Sequence, residues 1–235
     1  MYGVIAFVWH DFSIWHHAKP GSLPLREIIV YAAAVVNIVG GVLMQWRRTL
    51  SLGSAIVAAI MLLFTVLTIP GIIAAANVYT SWGNFFERLS LFCGAAIVFA
   101  ETGPRIEMWR ARAAQTAYFL FGLCAVSFAI EQALYLKATA DFVPAWIPPN
   151  QMFWAIATTI GFALAAVAIF SGRYALLATQ LLTAMLVGFG VLVWVPRLFS
   201  TPPMQFTWAE TTETFGIAAA AWIVAVRLYD LRARQ

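Results

Sequence analysis

The feature that most constrains this sequence is a series of long apolar runs separated by short charged segments. Seven runs have the roughly 20 mostly apolar residues that a helix needs to cross a bilayer. Hydrophobic residues make up 63% of the 235-residue chain and charged residues 10%, against about 25% charged in an ordinary soluble domain. We therefore predict an all-α polytopic membrane protein, surrounded by lipid, with helices over 28–46, 49–79, 82–100, 113–136, 153–170, 174–196 and 208–226.

The charges between these runs predict the orientation of the chain. Alternate loops and the C-terminus carry nine basic residues, whereas the loops on the other side carry five. Because basic residues are retained on the cytoplasmic side, we expect an external N-terminus and a cytoplasmic C-terminus. The scattered basic residues form no nucleic-acid-binding patch. The nine inner residues are Arg47, Arg48, Arg105, Arg110, Arg112, Arg173, Arg227, Arg232 and Arg234.

Several residues recur at one fixed offset of 126 positions, which indicates an internal repeat. The alternative explanation is that Arg, Pro and Trp generally favour helix ends. A duplication gives two units, residues 1–106 with three helices and residues 107–235 with four. The matching pairs are Arg47 with Arg173, Pro70 with Pro196, Trp82 with Trp208, and Glu87 with Glu213.

The offset spans four helices, so the two copies should share one orientation and be related by an axis along the membrane normal. The pair Asp11-Phe12 recurs as Asp141-Phe142 at offset 130. By this alignment the segment 1–9 corresponds to the last turns of a first helix that is missing from the first copy. Either that helix was lost, or the true start lies upstream of Met1.

The second half also carries a loop with a recognisable pattern. Residues 141–149 read Asp-Phe-Val-Pro-Ala-Trp-Ile-Pro-Pro, and the Phe153-Trp154 pair, Gly161, Gly172-Arg173-Tyr174-Ala175 and Val195-Pro196 follow. This half resembles the DoxX-like family of four-helix membrane proteins, and the first half resembles it faintly. The resemblance implies two parallel DoxX-like units in the cytoplasmic (inner) membrane of a bacterium. It also implies association with a membrane redox complex, in some members one of quinone-coupled sulfur oxidation, and it supplies no catalytic motif to transfer.

Three carboxylates are predicted to share one layer in the outer leaflet. Glu87 and Glu213 each follow an interfacial Trp by five residues, and Glu131 precedes Lys137 by six. Because a carboxylate in hydrocarbon is costly, this layer predicts a polar cavity for a ligand, a cation or a proton relay. The alternative is structural. Glu87 and Glu213 would then occupy first helical turns, where the helix dipole favours an acid, and Glu131 would pair with Lys137 or reach the interface.

The external segments hold the other candidate residues. All three histidines lie close together, so His10, Asp11, His16 and His17 form a possible Zn or Cu site, although their spacing fits no strong template. Trp9 and Trp15 favour instead a segment that lies in the membrane interface. The recurrence of Asp11 as Asp141, together with the position of Trp146, favours structural roles in the loops.

These observations lead to three hypotheses. No Ser-His-Asp, Walker or haem-binding pattern is present, so no cofactor is indicated and a non-enzymatic role is favoured. The main hypothesis is an accessory or scaffold subunit that associates with other subunits of a membrane redox complex or with itself. The second is a carrier or binding protein for a small amphiphile or quinone, which would use the carboxylate layer. The third is an oxidoreductase subunit with its own metal at the histidines.

Overall fold

The computed structural model describes residues 1–11, 25–102, 108–199 and 202–234, and every regular element in those ranges is helical. Seven helical segments are long and apolar enough to span a membrane. The predicted all-α polytopic fold with seven transmembrane helices is therefore confirmed. The spans are Arg26–Leu43, Leu50–Ala74, Tyr79–Glu101, Met108–Leu134, Gln151–Ser171, Ala175–Leu198 and Gln205–Ala233.

A proline interrupts the second span, and another proline interrupts the sixth. After α1 (Tyr2–Trp9) and α2 (Arg26–Leu43), α3 (Leu50–Leu67) ends just before α4 (Ile69–Ala74), whose first turn contains Pro70. Proline lacks a backbone N–H and its ring crowds the carbonyl four residues earlier, so the regular hydrogen-bond ladder cannot continue through it. The helix therefore breaks where the sequence predicts.

The first half ends with α5 (Tyr79–Glu101), and the second half repeats the order of its elements. The second half contains α6 (Met108–Leu134), α7 (Leu136–Phe142), α8 (Gln151–Ser171) and α9 (Ala175–Phe189). A π-helical segment, Gly190–Trp194, follows α9 and leads into the short α10 (Val195–Leu198), whose first turn contains Pro196. The last helix, α11, runs over Gln205–Ala233.

Helix α5 is the centre of the bundle because it packs against α3, α6 and α11. The main core lies between α5, α6, α8, α9 and α11, and Cys93, Phe121 and Val224 are fully buried in it. A smaller core joins α1, α2 and α3. Large apolar side chains such as Leu164 are exposed on the outer faces of the spans, where lipid is their solvent.

The helix bounds of the two halves correspond at the offset found in the sequence. Adding 126 to the first residue of α5 gives the first residue of α11, and the same sum takes α4 to the start of α10. The packing partners also correspond, because α3 packs on α5 as α9 packs on α11, and α2 on α3 as α8 on α9.

Helices α5 and α11 also touch at residues that are 126 positions apart. A Cβ atom built on Gly94 would lie 2.8 Å from Cβ of Ala220, and Arg227 forms an ion pair with Glu101. An axis between two like-oriented copies brings equivalent residues face to face in this way.

Candidate functional site

One arginine joins a buried carboxylate, that of Glu213, to a half-buried one, that of Glu87, where α5 meets α11. Nη1 of Arg88 lies 3.2 Å from Oε2 of Glu87 and 3.3 Å from Oε1 of Glu213. The same nitrogen donates to the backbone carbonyl of Asn84 at 2.9 Å. The side chains of Arg88 and Glu213 are each only 5% exposed, so these charges interact with little screening by water.

The two glutamates lie deeper in their helices than a first-turn position. Glu87 and Glu213 are each the ninth residue of their helix, because α5 begins at Tyr79 and α11 at Gln205. Neither first turn contains an acidic residue. The helix dipole acts mainly within the first turn, so the predicted dipole explanation for these two acids is wrong, and the contact with Arg88 replaces it.

The carboxylate of Glu131 joins the same layer from α6. It lies directly on the backbone of α5 at Gly83, where a Cβ atom would approach its oxygens to 2.2 Å. The absence of a side chain at Gly83 leaves the space that this carboxylate occupies. Among the described residues Glu131 forms no ion pair with Lys137, so the predicted pairing of these two is not found.

Two further side chains belong to this cluster and were not predicted from the sequence. Glu210, which lies about one turn before Glu213 on α11, interacts electrostatically with Glu87, Glu131 and Glu213. The hydroxyl of Tyr2 from α1 is buried beside Glu213 without hydrogen-bond geometry. We call Tyr2, Glu87, Arg88, Glu131, Glu210 and Glu213 the carboxylate cluster.

A cavity of about 400 Å³ adjoins this cluster and has Glu87 and Glu131 in its wall. The rest of the wall is largely apolar and aromatic. Its residues come from α5, α6, α7, α8, α9, the π-helical segment and α11, and they include Phe128, Tyr135, Phe142, Phe162, Leu186, Phe189, Val193, Trp194, Thr214 and Ile217. The cavity therefore combines apolar walls with two acidic groups.

The π-helical segment shapes one wall of the cavity. It places Val193 and Trp194 in the wall immediately before Pro196. Such π-helical insertions are frequent at functional sites. At the rim, the guanidinium of Arg197 lies 4.6 Å from the ring centre of Phe142 and 5.4 Å from that of Trp194. This stacking stabilises the aromatic rim.

The proposed metal ligands are only partly within the described ranges. Nδ1 of His10 lies 2.5 Å from the hydroxyl of Tyr31, and Asp11 forms a 2.6 Å ion pair with Arg26. His16 and His17 lie outside the described residues. Within the described ranges no three His, Cys, Asp or Glu side chains are grouped so that they could hold a metal ion.

The external-loop candidates take different positions. Asp11 joins the N-terminal segment to α2 through Arg26, and its backbone carbonyl accepts a hydrogen bond from Gln205 of α11. Its predicted counterpart, Asp141, is exposed near the end of α7. Trp146 is also exposed, and neither Asp141 nor Trp146 is in the wall of the cavity.

Comparison with known proteins leaves the site to be interpreted from its own geometry. No protein family, curated protein or solved structure matches this chain.

Proposed function

We propose that this protein is a membrane carrier or binding protein for a small amphiphile. The observation that carries the proposal is the cavity of about 400 Å³ with Glu87 and Glu131 in a largely apolar wall. Ligand sites are typically concave, mostly apolar and about 300–1,000 Å³ in volume, with a few convergent polar groups. The apolar body of the ligand would fill the aromatic end, and its polar head would contact the two carboxyl groups.

The location of the carboxyl groups favours ligand binding over a purely structural role. Ionisable residues within transmembrane segments are rare, and they usually mark substrate or ion pathways. Arg88 lies between Glu87 and Glu213, whereas Glu131 reaches the cavity without a cationic partner among the described residues. Of the two carboxyl groups that a ligand head would contact, Glu131 is therefore the one without a competing cation in the described ranges.

Filling the cavity tests the proposal. Thr214 lines the cavity, so the variant Thr214→Phe places a phenyl ring in the space that the ligand would occupy. We expect saturable binding of tetraphenylphosphonium or of uncharged triphenylphosphine oxide by the purified protein. The variant should weaken that binding by at least about tenfold, which is 1.4 kcal/mol. Equilibrium dialysis in detergent measures this binding.

A matched substitution separates a filled cavity from general damage to α11. Ala219 is exposed on the same helix and is not in the cavity wall. The variant Ala219→Phe should therefore bind both probes as the parent protein does. If neither probe binds the parent protein, or if Thr214→Phe binds them unchanged, the proposed cavity function is wrong.

We also propose the orientation that the distribution of basic residues predicts, with the C-terminus in the cytoplasm of a bacterium. The seven candidate spans are an odd number, which supports ends on opposite sides of the membrane. A single cysteine introduced by Arg232→Cys in a background without Cys93 and Cys124 should react with an impermeant maleimide only after the cells are opened. Labelling in intact cells would instead indicate the opposite orientation, with the C-terminus outside.

We further propose that the chain contains two like-oriented copies of one helical unit. The shared helix bounds, the packing order and the contacts of Gly94 with Ala220 and Glu101 with Arg227 support this proposal. Helix α1 contacts α2 and α11, as the duplication predicts for the counterpart of the last turns of α6. The DoxX-like assignment and the accessory-subunit role stay predictions that rest on the resemblance.

A further inference from the structure

The carboxylate cluster contains more acid than its single cation can balance. Four carboxyl groups, those of Glu87, Glu131, Glu210 and Glu213, interact with one another and with one guanidinium. If all four were ionised, the formal charge of the cluster would be −3. Excess charge of this kind within a membrane-spanning bundle is strongly unfavourable unless it is paired. The empty site must therefore hold protons.

The geometry divides the four carboxyl groups into two pairs. Arg88 contacts Glu87 and Glu213 through a single nitrogen, Nη1, so these two share the one guanidinium. Glu131 and Glu210 have no ion-pair partner among the described residues. Of this second pair, only Glu131 lies in the cavity wall, so it is the carboxyl group that a bound ligand can reach.

A buried atom in the same cluster also lacks a donor. Oε1 of Glu213 makes no hydrogen bond although its side chain is 5% exposed, and among the described residues its close cationic neighbour is the Nη1 atom that Glu87 also contacts. Nε of Arg88 and the hydroxyl of Tyr2 are buried without a hydrogen-bond partner as well, so the polar groups of the cluster are incompletely paired. No set of three described ligands is grouped for a metal ion, and the adjoining cavity is largely apolar. Both observations favour an organic cation over a metal ion.

We propose that Glu131 exchanges its proton for the cationic head of an amphiphile, so that binding is linked to proton release. This inference rests on the proposed function of the cavity and names the class of ligand. In the empty site the carboxyl group of Glu131 is protonated and neutral. When the cation enters, the O–H bond breaks, the proton leaves to the aqueous phase, and the carboxylate pairs with the cation. The net charge of the site is the same before and after the exchange.

The groups around Glu131 determine how readily this exchange occurs. A lower pH supplies the competing proton, so affinity for the cation should fall on acidification. The titratable or charged groups of the surrounding elements are Tyr2 from α1, Glu87 and Arg88 from α5, Tyr135 between α6 and α7, and Glu210 and Glu213 from α11.

Calorimetry of the full-length protein in detergent tests this exchange. Tetraphenylphosphonium is a permanent cation and cannot release a proton itself. We expect it to release about one proton per bound ligand, which is measured from binding enthalpies in buffers with different ionisation enthalpies. Its affinity should fall by up to about tenfold per pH unit on acidification. Triphenylphosphine oxide, which is uncharged, should bind without proton release.

One variant and its matched control test whether Glu131 is the group that releases the proton. Glu131→Gln should abolish proton release and remove the pH dependence of tetraphenylphosphonium binding, whereas binding of triphenylphosphine oxide should persist. The matched control is Glu27→Gln, because Glu27 is exposed in the first turn of α2, and this variant should release protons as the parent protein does.

The outcomes separate this inference from the proposed function. Binding of tetraphenylphosphonium by the parent protein without proton release would overturn the exchange and leave the cavity function in place. Binding of the uncharged probe alone would also overturn the exchange and would favour a quinone-like ligand. If neither probe binds, the cavity function and the exchange are both overturned. Should Glu131→Gln fail to fold, the proton count of the parent protein still decides the question.

Discussion

Replacing Arg88 with methionine is expected to lower the free energy of unfolding by about 3–5 kcal/mol, the range for removing one partner of a buried ion pair. The guanidinium is the only cation in contact with Glu87 and Glu213 within the described residues. Methionine retains much of the side-chain volume and removes the charge, so the loss reports electrostatics rather than packing. Unfolding by sodium dodecyl sulfate in mixed micelles, followed by circular dichroism, measures the change.

Two further variants show whether the loss of stability comes from the charge of Arg88. Arg173 is exposed in the loop after α8, so Arg173→Met should leave the stability within about 0.5 kcal/mol of the parent value. Adding Glu87→Gln and Glu213→Gln to Arg88→Met removes the uncompensated acids and should restore more than half of the loss. An Arg88→Met protein as stable as the parent would contradict the assignment of Arg88 as the cation that holds the two halves together.

A valine at Gly94 should separate α5 from α11 and cost about 1–3 kcal/mol, as overpacking a tight core does. A Cβ atom at this position would lie 2.8 Å from Cβ and 3.0 Å from Cα of Ala220. The second distance is to the backbone, so rotation of a side chain cannot relieve it. The same unfolding assay measures the loss of stability.

The control for this prediction is a second helical glycine with space around it. A Cβ atom on Gly188 of α9 would meet nothing within 4 Å, so Gly188→Val should be tolerated. The double variant Gly94→Val with Ala220→Gly, which lacks the opposing methyl group, should recover part of the lost stability. Equal stability of Gly94→Val and Gly188→Val would mean that α5 and α11 do not approach as closely as described.

Hydropathy predicted the spans well because the solvent around them is uniform. Lipid tolerates almost any apolar side chain, so an apolar run of sufficient length is enough to specify a helix. The helix breaks at Pro70 and Pro196 could also be predicted, because proline removes a backbone hydrogen-bond donor. Neither inference requires knowledge of which helices become neighbours.

The site was harder to predict because it depends on contacts between distant segments. Interfacial Trp82 and Trp208 predict the helix starts, whereas α5 and α11 each begin three residues earlier. Glu87 and Glu213 are therefore ninth rather than sixth in their helices. Nothing in the local sequence indicates that Arg88, the neighbour of Glu87, also reaches Glu213 on the other helix. Glu210 and Tyr2 carry no local signal, since only the packing of α1 and α11 brings them to the cluster.

The seam between α5 and α11 is occupied unequally at one pair of positions that are 126 residues apart. In a dimer of identical subunits, every residue at such a seam occurs twice, so an arginine there would be present in two copies or in none. In this chain the position 126 residues after Arg88 holds Thr214. One guanidinium thus lies between Glu87 and Glu213, while the smaller threonine borders the cavity. A single chain permits this odd number of charges at the seam, which two identical subunits could not provide.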